Sequence, residues 1–177
     1  HANEELASLA MLDALTGLPN RRCVTEELNR LIAHCRRTRE WVLVGFVDLD
    51  RFKQINDQFG HEAGDALLRA MAEQLRAGLR SSDMLARFGG DEFVMVGAGP
   101  LLDEDAEAVI REMQLRLSKA SVAILQLADG REIEYAGASV GMVCLMPDDT
   151  DVDDALQKAD AAMYKVKAAR QRLPEVI

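Results

Sequence analysis

Apolar residues occur along the chain in two patterns, a continuous run and a helical spacing, which predict one buried strand and several helices. Residues 41–47, WVLVGFV, form a continuous apolar run that is rich in β-branched side chains. Such a run is typical of a central strand that is covered on both faces. Apolar residues at helical spacing predict helices in five other segments. These are residues 2–14 and the segments that begin near Asn20, Gly60, Asp103 and Asp151, of which the one at Asp103 ends near Lys119.

Turn residues predict the remaining strands. Two short strands are expected on either side of the Gly89–Gly90 pair, and strands over residues 121–127 and 131–145 are expected to meet at Asp129–Gly130, a dipeptide that favours tight hairpins. The resulting order is helix, strand, helix, hairpin, helix, hairpin, helix. In a chain of 177 residues, this order predicts a single α+β domain in which helices cover a mostly antiparallel sheet.

The first predicted helix is interpreted as a connection to an upstream domain. One of its faces carries Leu6, Leu9, Ala10 and Asp13. The alternatives are a frayed terminal helix and a coiled stalk that transmits a signal. Because the chain opens at His1 without a methionine, we expect a fragment. In that fragment, residues 1–14 are the connecting helix and residues 15–177 form the domain.

Composition narrows the classes of partner. Lys and Arg total 21 against 30 Asp and Glu, and the resulting net charge of -9 repels a nucleic-acid polymer. A small nucleotide remains compatible with this charge, because divalent cations can bridge carboxylates to phosphates. The 3 cysteines form no CxxC pair, which favours a reducing compartment. No apolar run has the length of a membrane span. We therefore expect the domain to be cytoplasmic, while a parent protein with a membrane segment is compatible with this expectation.

Acidic residues stand at the end of the predicted central strand and at the predicted hairpin turn. Asp48 and Asp50 follow the apolar run, and Asp91 and Glu92 follow the two glycines. If the hairpin pairs beside the central strand, Asp48 and Asp91 converge, and their oxygens suit Mg²⁺ or Mn²⁺. The alternative is that the aspartate after the strand caps the next helix and the acids at the turn are solvated.

Three further polar residues lie in the segment between the strand and the next long helix. Lys53 is placed to meet phosphate together with free backbone N–H groups, although most lysines are simply solvated. Asn56 and Asp65 can accept and donate the hydrogen bonds that a guanine edge offers, since an ionised Asp accepts from two N–H donors. The alternative for both is that they cap helices. The glycines between them predict a break in the helix.

Five stretches of the sequence resemble one family of bacterial proteins. RFGGDEF at residues 87–93 resembles the signature of the GGDEF family, the diguanylate cyclases. The other four follow in the order and at the separations of that family. They are DALTGLPNRR at 13–22, DLDRFKQINDQFGHEAGDALL at 48–68, ASVG at 138–141 and ADAAMYKVK at 159–167. The resemblance covers nearly the whole chain.

This resemblance implies a palm-like fold of the ferredoxin-like, nucleotidyl-cyclase type. It implies that two GTP condense to cyclic di-GMP and two pyrophosphates. The implied metal ligands are Asp48, the backbone carbonyl of Leu49, Asp91 and Glu92, which would hold Mg²⁺ or Mn²⁺, two ions per site. Asp91 or Glu92 would take the proton from the attacking 3′-hydroxyl, and Asp91 is the favoured base.

The resemblance also implies how the nucleotide is held. Lys53, with nearby backbone N–H groups, would bind the phosphates and stabilise the charge that develops in the transition state. Asn56 and Asp65 would bind guanine. Phe52, His61 and Lys167 are the other implied substrate-binding residues.

One such site per chain implies that two chains meet as a homodimer, since the product joins two nucleotides. Arg80 and Asp83 match the family's RxxD site, where cyclic di-GMP would bind as an inhibitor; the alternative is a weak surface ion pair. An upstream sensor or regulatory domain is the implied partner in the parent protein.

The chain departs from the family pattern after Lys167. A glycine, a basic residue and an Asn or Asp are expected there, whereas this sequence reads Ala168, Ala169, Arg170, Gln171, Arg172. This departure puts phosphate contacts in this segment in doubt. The basic partner is expected at Arg170 or Arg172, and without the glycine the helix is expected to run on.

The rival hypothesis is a catalytically silent module that binds GTP or cyclic di-GMP. A cyclase with a mixed or linear product is disfavoured by Asp65.

Overall fold

A computed structural model describes residues 10–172 of the chain. Within these residues, five helices and six strands follow one another in nearly the order that the sequence pattern predicts, and a short 3₁₀ turn precedes the last helix. The elements are α1 Arg21–Thr38, β1 Glu40–Leu49, α2 Phe52–Phe59, α3 His61–Ala77, β2 Met84–Arg87, β3 Glu92–Leu101, α4 Ala106–Ala120, β4 Ala123–Gln126, β5 Glu132–Tyr135, β6 Ala138–Leu145, the 3₁₀ turn Pro147–Asp149 and α5 Val152–Arg172.

The main sheet has four strands in the order β2-β3-β1-β6, and its neighbouring strands are antiparallel. The apolar run therefore forms an interior strand, as predicted. Strands β4 and β5 make a separate antiparallel ribbon of two strands. The α+β class with an antiparallel sheet and helical cover is confirmed.

Side chains on the two faces of β1 enter two hydrophobic clusters. Leu43 and Val47 pack with residues of α3 and α4, whereas Val44 and Phe46 pack with residues of α1 and α5. Alternate residues of a strand point to opposite faces, so a strand that is apolar throughout needs cover on both. Helix α5 lies directly on the sheet at Gly141, where a Cβ would overlap backbone atoms of α5.

The predicted capping of α1 is confirmed. Asn20 accepts a hydrogen bond from the Cys23 backbone N–H at 3.0 Å. The predicted helix over residues 2–14 falls mainly outside the described residues. Its described part, residues 10–14, is not helical: Leu12 forms an isolated bridge with Pro19, and Asp13 accepts from the Thr16 backbone N–H at 2.9 Å. A turn closed by these bonds replaces the helical pattern, so that prediction is wrong for residues 10–14.

Three other boundaries differ from the sequence prediction. The cap of α4 is Asp105, which accepts from two backbone N–H groups, so the helix begins at Ala106 and the prediction of Asp103 is wrong. The strand expected over residues 131–145 is two strands, because Gly137 turns the chain with a φ of 118°. Strand β3 has 10 residues and is not short.

Between residues 10 and 172, no helix is long and apolar enough to cross a membrane.

Candidate active site

The acidic residues of β1 and β3 converge, as the sequence predicts. Asp48 and Glu92 are directly paired across the two strands, and the Leu49 backbone N–H donates to the Asp91 carbonyl at 3.0 Å. Asp48, Asp91 and Glu92 each offer one carboxylate oxygen, and these oxygens lie within 4.8 Å of one another. The alternative in which Asp48 caps the next helix is wrong, because Asp48 lies within β1 and the residue before α2 is Arg51.

A tight turn at Gly89–Gly90 delivers Asp91 to this position. Backbone N–H groups of Phe88 and Gly89 both donate to the Glu92 carbonyl, at 2.8 and 3.3 Å. A Cβ on Gly89 would lie only 2.9 Å from the Glu92 carboxylate. Arg87 stabilises the turn from outside: its guanidinium donates to the Gly90 carbonyl at 2.8 Å and pairs with Asp13 at 3.2 Å. Arg87 opens the RFGGDEF motif, but its position in the sequence does not reveal this role.

The electrostatics of the acidic cluster favour a bound cation. Burial, and then the charge of Asp91, raises the pKa of Asp48. Burial, and then the charge of Asp48, raises the pKa of Glu92. Asp48 Oδ1 is buried and has no hydrogen-bond partner within residues 10–172. Carboxylates that repel one another, together with one buried oxygen that lacks a donor, fit a divalent cation such as Mg²⁺ or Mn²⁺.

Two basic residues of α5 face the end of β1. Lys167 Nζ lies 3.3 Å from Asp48 Oδ2, and Arg170 Nε lies 2.7 Å from Asp50 Oδ2. The helix continues without a break to Arg172, as expected when the family's glycine is missing. Lys167 is thus within reach of the acidic cluster, while Arg170 is bound to a residue beside it.

Asp50 does not join the cluster. Its carboxylate accepts from Ser139 Oγ and Arg170 Nε, each at 2.7 Å, and its carbonyl accepts from the Tyr135 hydroxyl at 2.8 Å. Burial, and then the charge of Asp50, raises the pKa of Tyr135, so its hydroxyl is the donor. No pattern in the sequence indicates that Ser139 and Tyr135 bind Asp50.

A break between two helices brings the predicted guanine-binding residues together. Gly60, with a φ of 93°, separates α2 from α3, which confirms the predicted bend. Asn56 lies inside α2 and Asp65 inside α3, so neither residue caps a helix. Asn56 packs over Gly64, where a Cβ would overlap its side-chain oxygen. His61 and Asp65 are four residues apart on α3, which places them on one face.

The first turn of α2 carries Phe52 and the exposed Lys53. Arg51 precedes it in a left-handed conformation, with a φ of 59°. No side chain among residues 10–172 caps this helix. Its first N–H groups are therefore open to an anion.

A groove of about 1230 Å³ opens beside the acidic cluster, between α2, β5 and the end of α5. Asp50, Lys167 and Arg170 line one end of it, and Gln54 and Gln58 line its α2 wall. Lys53 and Asn56 do not line it. The face of α2 with the candidate nucleotide-binding residues is thus separate from the face that borders the groove.

Arg80 and Asp83 are joined in a local ion pair. The guanidinium donates to both carboxylate oxygens, at 3.1 and 2.8 Å, and the Arg80 backbone N–H donates at 2.9 Å. The Asp83 side chain is 0% exposed, whereas that of Arg80 is 51% exposed. Gly97 makes room for the pair, since a Cβ there would overlap Asp83 Oδ1. The pair is therefore more buried than the surface pair that the sequence alternative expects.

The fold and the site together define a palm-like domain of the nucleotidyl-cyclase type, with an acidic cluster at the joined ends of two central strands. Residues 10–172 match the family described as "Diguanylate cyclase, GGDEF domain". The chain belongs to this GGDEF-domain family, as its sequence motifs predict.

Three relatives illustrate the similarity. The chain is 39% identical to the diguanylate cyclase DgcP of Escherichia coli (strain K12) over 175 residues, which are 99% of this chain and 50% of DgcP. A crystal structure of a sensory box/GGDEF family protein from Caulobacter crescentus CB15 has a TM-score of 0.81 and 37% identity, and the match covers 90% of this chain and 99% of that one. The GGDEF domain of DgcB from Caulobacter crescentus, solved in complex with c-di-GMP, has a TM-score of 0.77 and 27% identity, with 90% and 91% covered. The chain spans about half or less of the length of the curated relatives it matches.

Proposed function

We propose that this domain is a diguanylate cyclase that condenses two GTP into cyclic di-GMP and two pyrophosphates. The observation that carries the proposal is the convergence of Asp48, Asp91 and Glu92, whose oxygens lie within 4.8 Å of one another. Family membership and the 39% identity to a named diguanylate cyclase support the same conclusion.

The acidic cluster would hold Mg²⁺ or Mn²⁺, two ions per site, through Asp48, Asp91, Glu92 and the backbone carbonyl of Leu49. A divalent cation bound there supplies charge neutralisation for the triphosphate and lowers the pKa of a coordinated hydroxyl. The protein keeps these oxygens together through the β1–β3 pairing.

Catalysis by the chain itself consists of proton removal and charge stabilisation. Either Asp91 or Glu92 accepts the proton of the attacking 3′-hydroxyl, and Asp91 is the first candidate because the bond from Leu49 fixes its backbone. Lys53, Lys167 and the open N–H groups of α2 bind the phosphates and stabilise the charge that develops on them.

Guanine is bound between α2 and α3. Asn56 and Asp65 take its edge, since an ionised Asp accepts from both N–H donors that guanine presents there. His61 supports this pocket from the same face of α3, and Phe52 completes it from the first turn of α2. Adenine lacks the matching pair of donors, so the pocket selects GTP.

Two chains are needed for each product molecule. Each subunit presents one GTP, and the 3′-hydroxyl of one nucleotide attacks the α-phosphate of the other across a homodimer. An upstream sensor or regulatory domain would control this pairing in the parent protein, in agreement with the chain's covering 50% of DgcP. The substrate is a cytoplasmic nucleotide, so the domain would be cytoplasmic.

Product inhibition would act through Arg80. Its guanidinium is half exposed. Nε and Nη2 donate to Asp83 and to the Ala98 carbonyl, which leaves Nη1 and the flat face of the group for guanine or phosphate. The DgcB domain that was solved with c-di-GMP belongs to the same family. Cyclic di-GMP bound at this edge would arrest the two subunits in an unproductive arrangement.

The proposal is tested by incubating the protein with GTP and Mg²⁺ and identifying the products by mass spectrometry. Cyclic di-GMP is expected from the unaltered protein, at a rate per subunit that rises with protein concentration until the dimer is saturated. Asp91→Ala is expected to make no product, and Asp65→Ala is expected to lose preference for GTP over ATP. Nucleotide binding without turnover, even when two chains are fused to a dimerising coiled coil, would instead support the silent binding module.

A further inference from the structure

Asp50 is fixed by contacts from three separate elements. Ser139 of β6 and Arg170 of α5 each donate to one of its carboxylate oxygens, and Tyr135 of β5 donates to its carbonyl. Both carboxylate oxygens thus have a partner. Asp50 is one residue beyond the end of β1, so the contacts hold the point at which the chain leaves the sheet.

The backbone conformation of the turn after Asp50 has to be stabilised by contacts with other elements. Arg51 has a φ of 59° and a ψ of 25°, a left-handed conformation that a residue with a Cβ adopts at an energetic cost. Such a conformation persists where its surroundings determine it. The hydrogen bonds to Asp50 fix the backbone on the N-terminal side of Arg51. On its C-terminal side, α2 begins at Phe52.

The direction of this turn decides where α2 points. The helix begins at Phe52 with its first N–H groups uncapped by any side chain in the described part of the chain. Lys53 lies in the same turn. A change in the turn would rotate both the N–H groups and the lysine away from a common anion, since N–H groups at a helix start are parallel to its axis.

We propose that Arg170 and Asp50 form a positioning pair, which holds residues 50–53 in the conformation that receives the phosphates of GTP. The inference rests on the proposed function and deepens it. Arg170 acts through Asp50: its Nε is 2.7 Å from Asp50 Oδ2. Arg170 lies in the segment after Lys167, where this chain departs from the family pattern.

The test is a double-mutant cycle that measures binding of 3′-deoxy-GTP with Mg²⁺ by calorimetry. This probe carries the base and triphosphate but lacks the attacking hydroxyl, so binding is measured without turnover. Arg170→Ala and Asp50→Asn are each expected to weaken binding about tenfold, and the double variant is expected to bind no more weakly than either single variant. In turnover, the KM for GTP is expected to rise about tenfold, with kcat changed by less than about threefold.

Two further variants complete the design. Arg116→Ala removes an arginine whose guanidinium also lies 2.7 Å from a carboxylate, Glu112, on the surface of α4, and its binding is expected to stay at the parental value. Arg170→Lys keeps the charge and is expected to bind within about threefold of the parent. It also serves as the variant to compare with Asp50→Asn if thermal unfolding shows that Arg170→Ala is not folded.

The outcomes separate this inference from the proposed function. Unchanged binding in folded Arg170→Ala would overturn the positioning pair. Losses that multiply in the double variant would overturn it too, because they would mean that Arg170 and Asp50 act independently of each other. If the unaltered protein does not bind 3′-deoxy-GTP at all, the proposed function itself fails.

Discussion

Asp48 and Glu92 are directly paired across β1 and β3, and the pKa of each carboxyl group is raised by burial and by neighbouring acid. Two carboxylates that lie opposite each other on neighbouring strands disfavour the folded state while both are charged. The protein keeps them there because their separation is set by the sheet. Their repulsion can be relieved by a proton, by the Lys167 ammonium, or by a divalent cation.

Divalent cations are therefore expected to stabilise the folded protein. Mg²⁺ at about 100 times its dissociation constant adds about 2.7 kcal/mol, which corresponds to a rise in Tm of about 5 to 10 °C for a chain of this size. Thermal unfolding with and without Mg²⁺ measures this rise. Asp91→Asn is expected to abolish most of it, and Glu112→Gln, on the exposed face of α4, is expected to leave it unchanged. An equal rise in all three proteins would contradict a metal site at the cluster.

Asp48→Asn is expected to make the metal-free protein more stable while it removes the proposed cyclase activity. The substitution keeps the shape of the side chain and removes one of the repelling charges, which is expected to add about 1 kcal/mol to the free energy of unfolding. Urea unfolding in the presence of a chelator measures the change. A less stable variant would mean that the Lys167 pair outweighs the repulsion.

The stability of the metal-free protein should depend on pH in a specific direction. The pKa values of Asp48 and Glu92 in the folded state are raised above their ordinary values of 3.8 and 4.5. In the pH window between the ordinary and the raised pKa of each group, the folded state therefore binds more protons than the unfolded state. Their contribution to stability is therefore present at low pH and is lost as the pH rises through that window. The comparison is between the parent and Asp48→Asn, unfolded at several pH values. The difference in stability between them is expected to grow with pH and then level off; a constant difference would contradict the raised pKa of Asp48.

Gly64→Ala is expected to weaken GTP binding. A Cβ on Gly64 would overlap Asn56 Oδ1, so the asparagine must leave the position from which it would contact guanine in the proposed site. We expect KM for GTP to rise about tenfold or more, since a lost hydrogen bond to a buried partner costs about 1 to 3 kcal/mol. Gly78→Ala is the matched control, because its nearest atom would lie at 3.4 Å, an ordinary contact. Equal KM values for the two variants would remove Asn56 from the guanine site.

Arg80→Ala is expected to abolish product inhibition and to lower stability. The substitution removes two of the three hydrogen bonds to the Asp83 carboxylate, whose side chain is 0% exposed, and leaves the one from the Arg80 backbone N–H. A buried acceptor that loses a donor costs about 1 to 3 kcal/mol. Initial rates at increasing cyclic di-GMP measure inhibition, and thermal unfolding measures stability.

Arg30→Ala is the control for this variant, because Arg30 and Glu27 form an exposed pair at the same sequence separation and at 2.8 Å. It is expected to retain inhibition. Inhibition of equal strength in Arg80→Ala and Arg30→Ala would exclude the site.

The convergence of Asp48 with Asp91 could be predicted because it depends on local rules. A short turn at two glycines makes a hairpin, the hairpin pairs with the strand nearest in sequence, and strand alternation orients the side chains. The positions of Asn56 and Asp65 followed from the helix break at Gly60. The five stretches in register supplied the family, because each constrains a different part of the same site.

The contacts of Asp50 could not be predicted in this way. Alternation along β1 would place Asp50 on the same face as Asp48, but the strand ends at Leu49 and the chain turns at Arg51. The partners of Asp50 are separated from it by 85, 89 and 120 residues. Such contacts leave no periodic signal in the sequence. The split of residues 131–145 was missed for a related reason, since either side of Gly137 has the composition of a strand.

The separation of the β4–β5 ribbon from the main sheet determines where the chain tolerates added length. One residue inserted between Phe88 and Glu92 would disrupt the tight turn that holds Asp91 beside Asp48. The Asp129–Gly130 turn closes only its own two strands, and Gly130 is exposed. A fluorescent reporter or an affinity tag spliced in at that turn would leave the catalytic geometry intact, which makes it the natural attachment point for following the domain in cells.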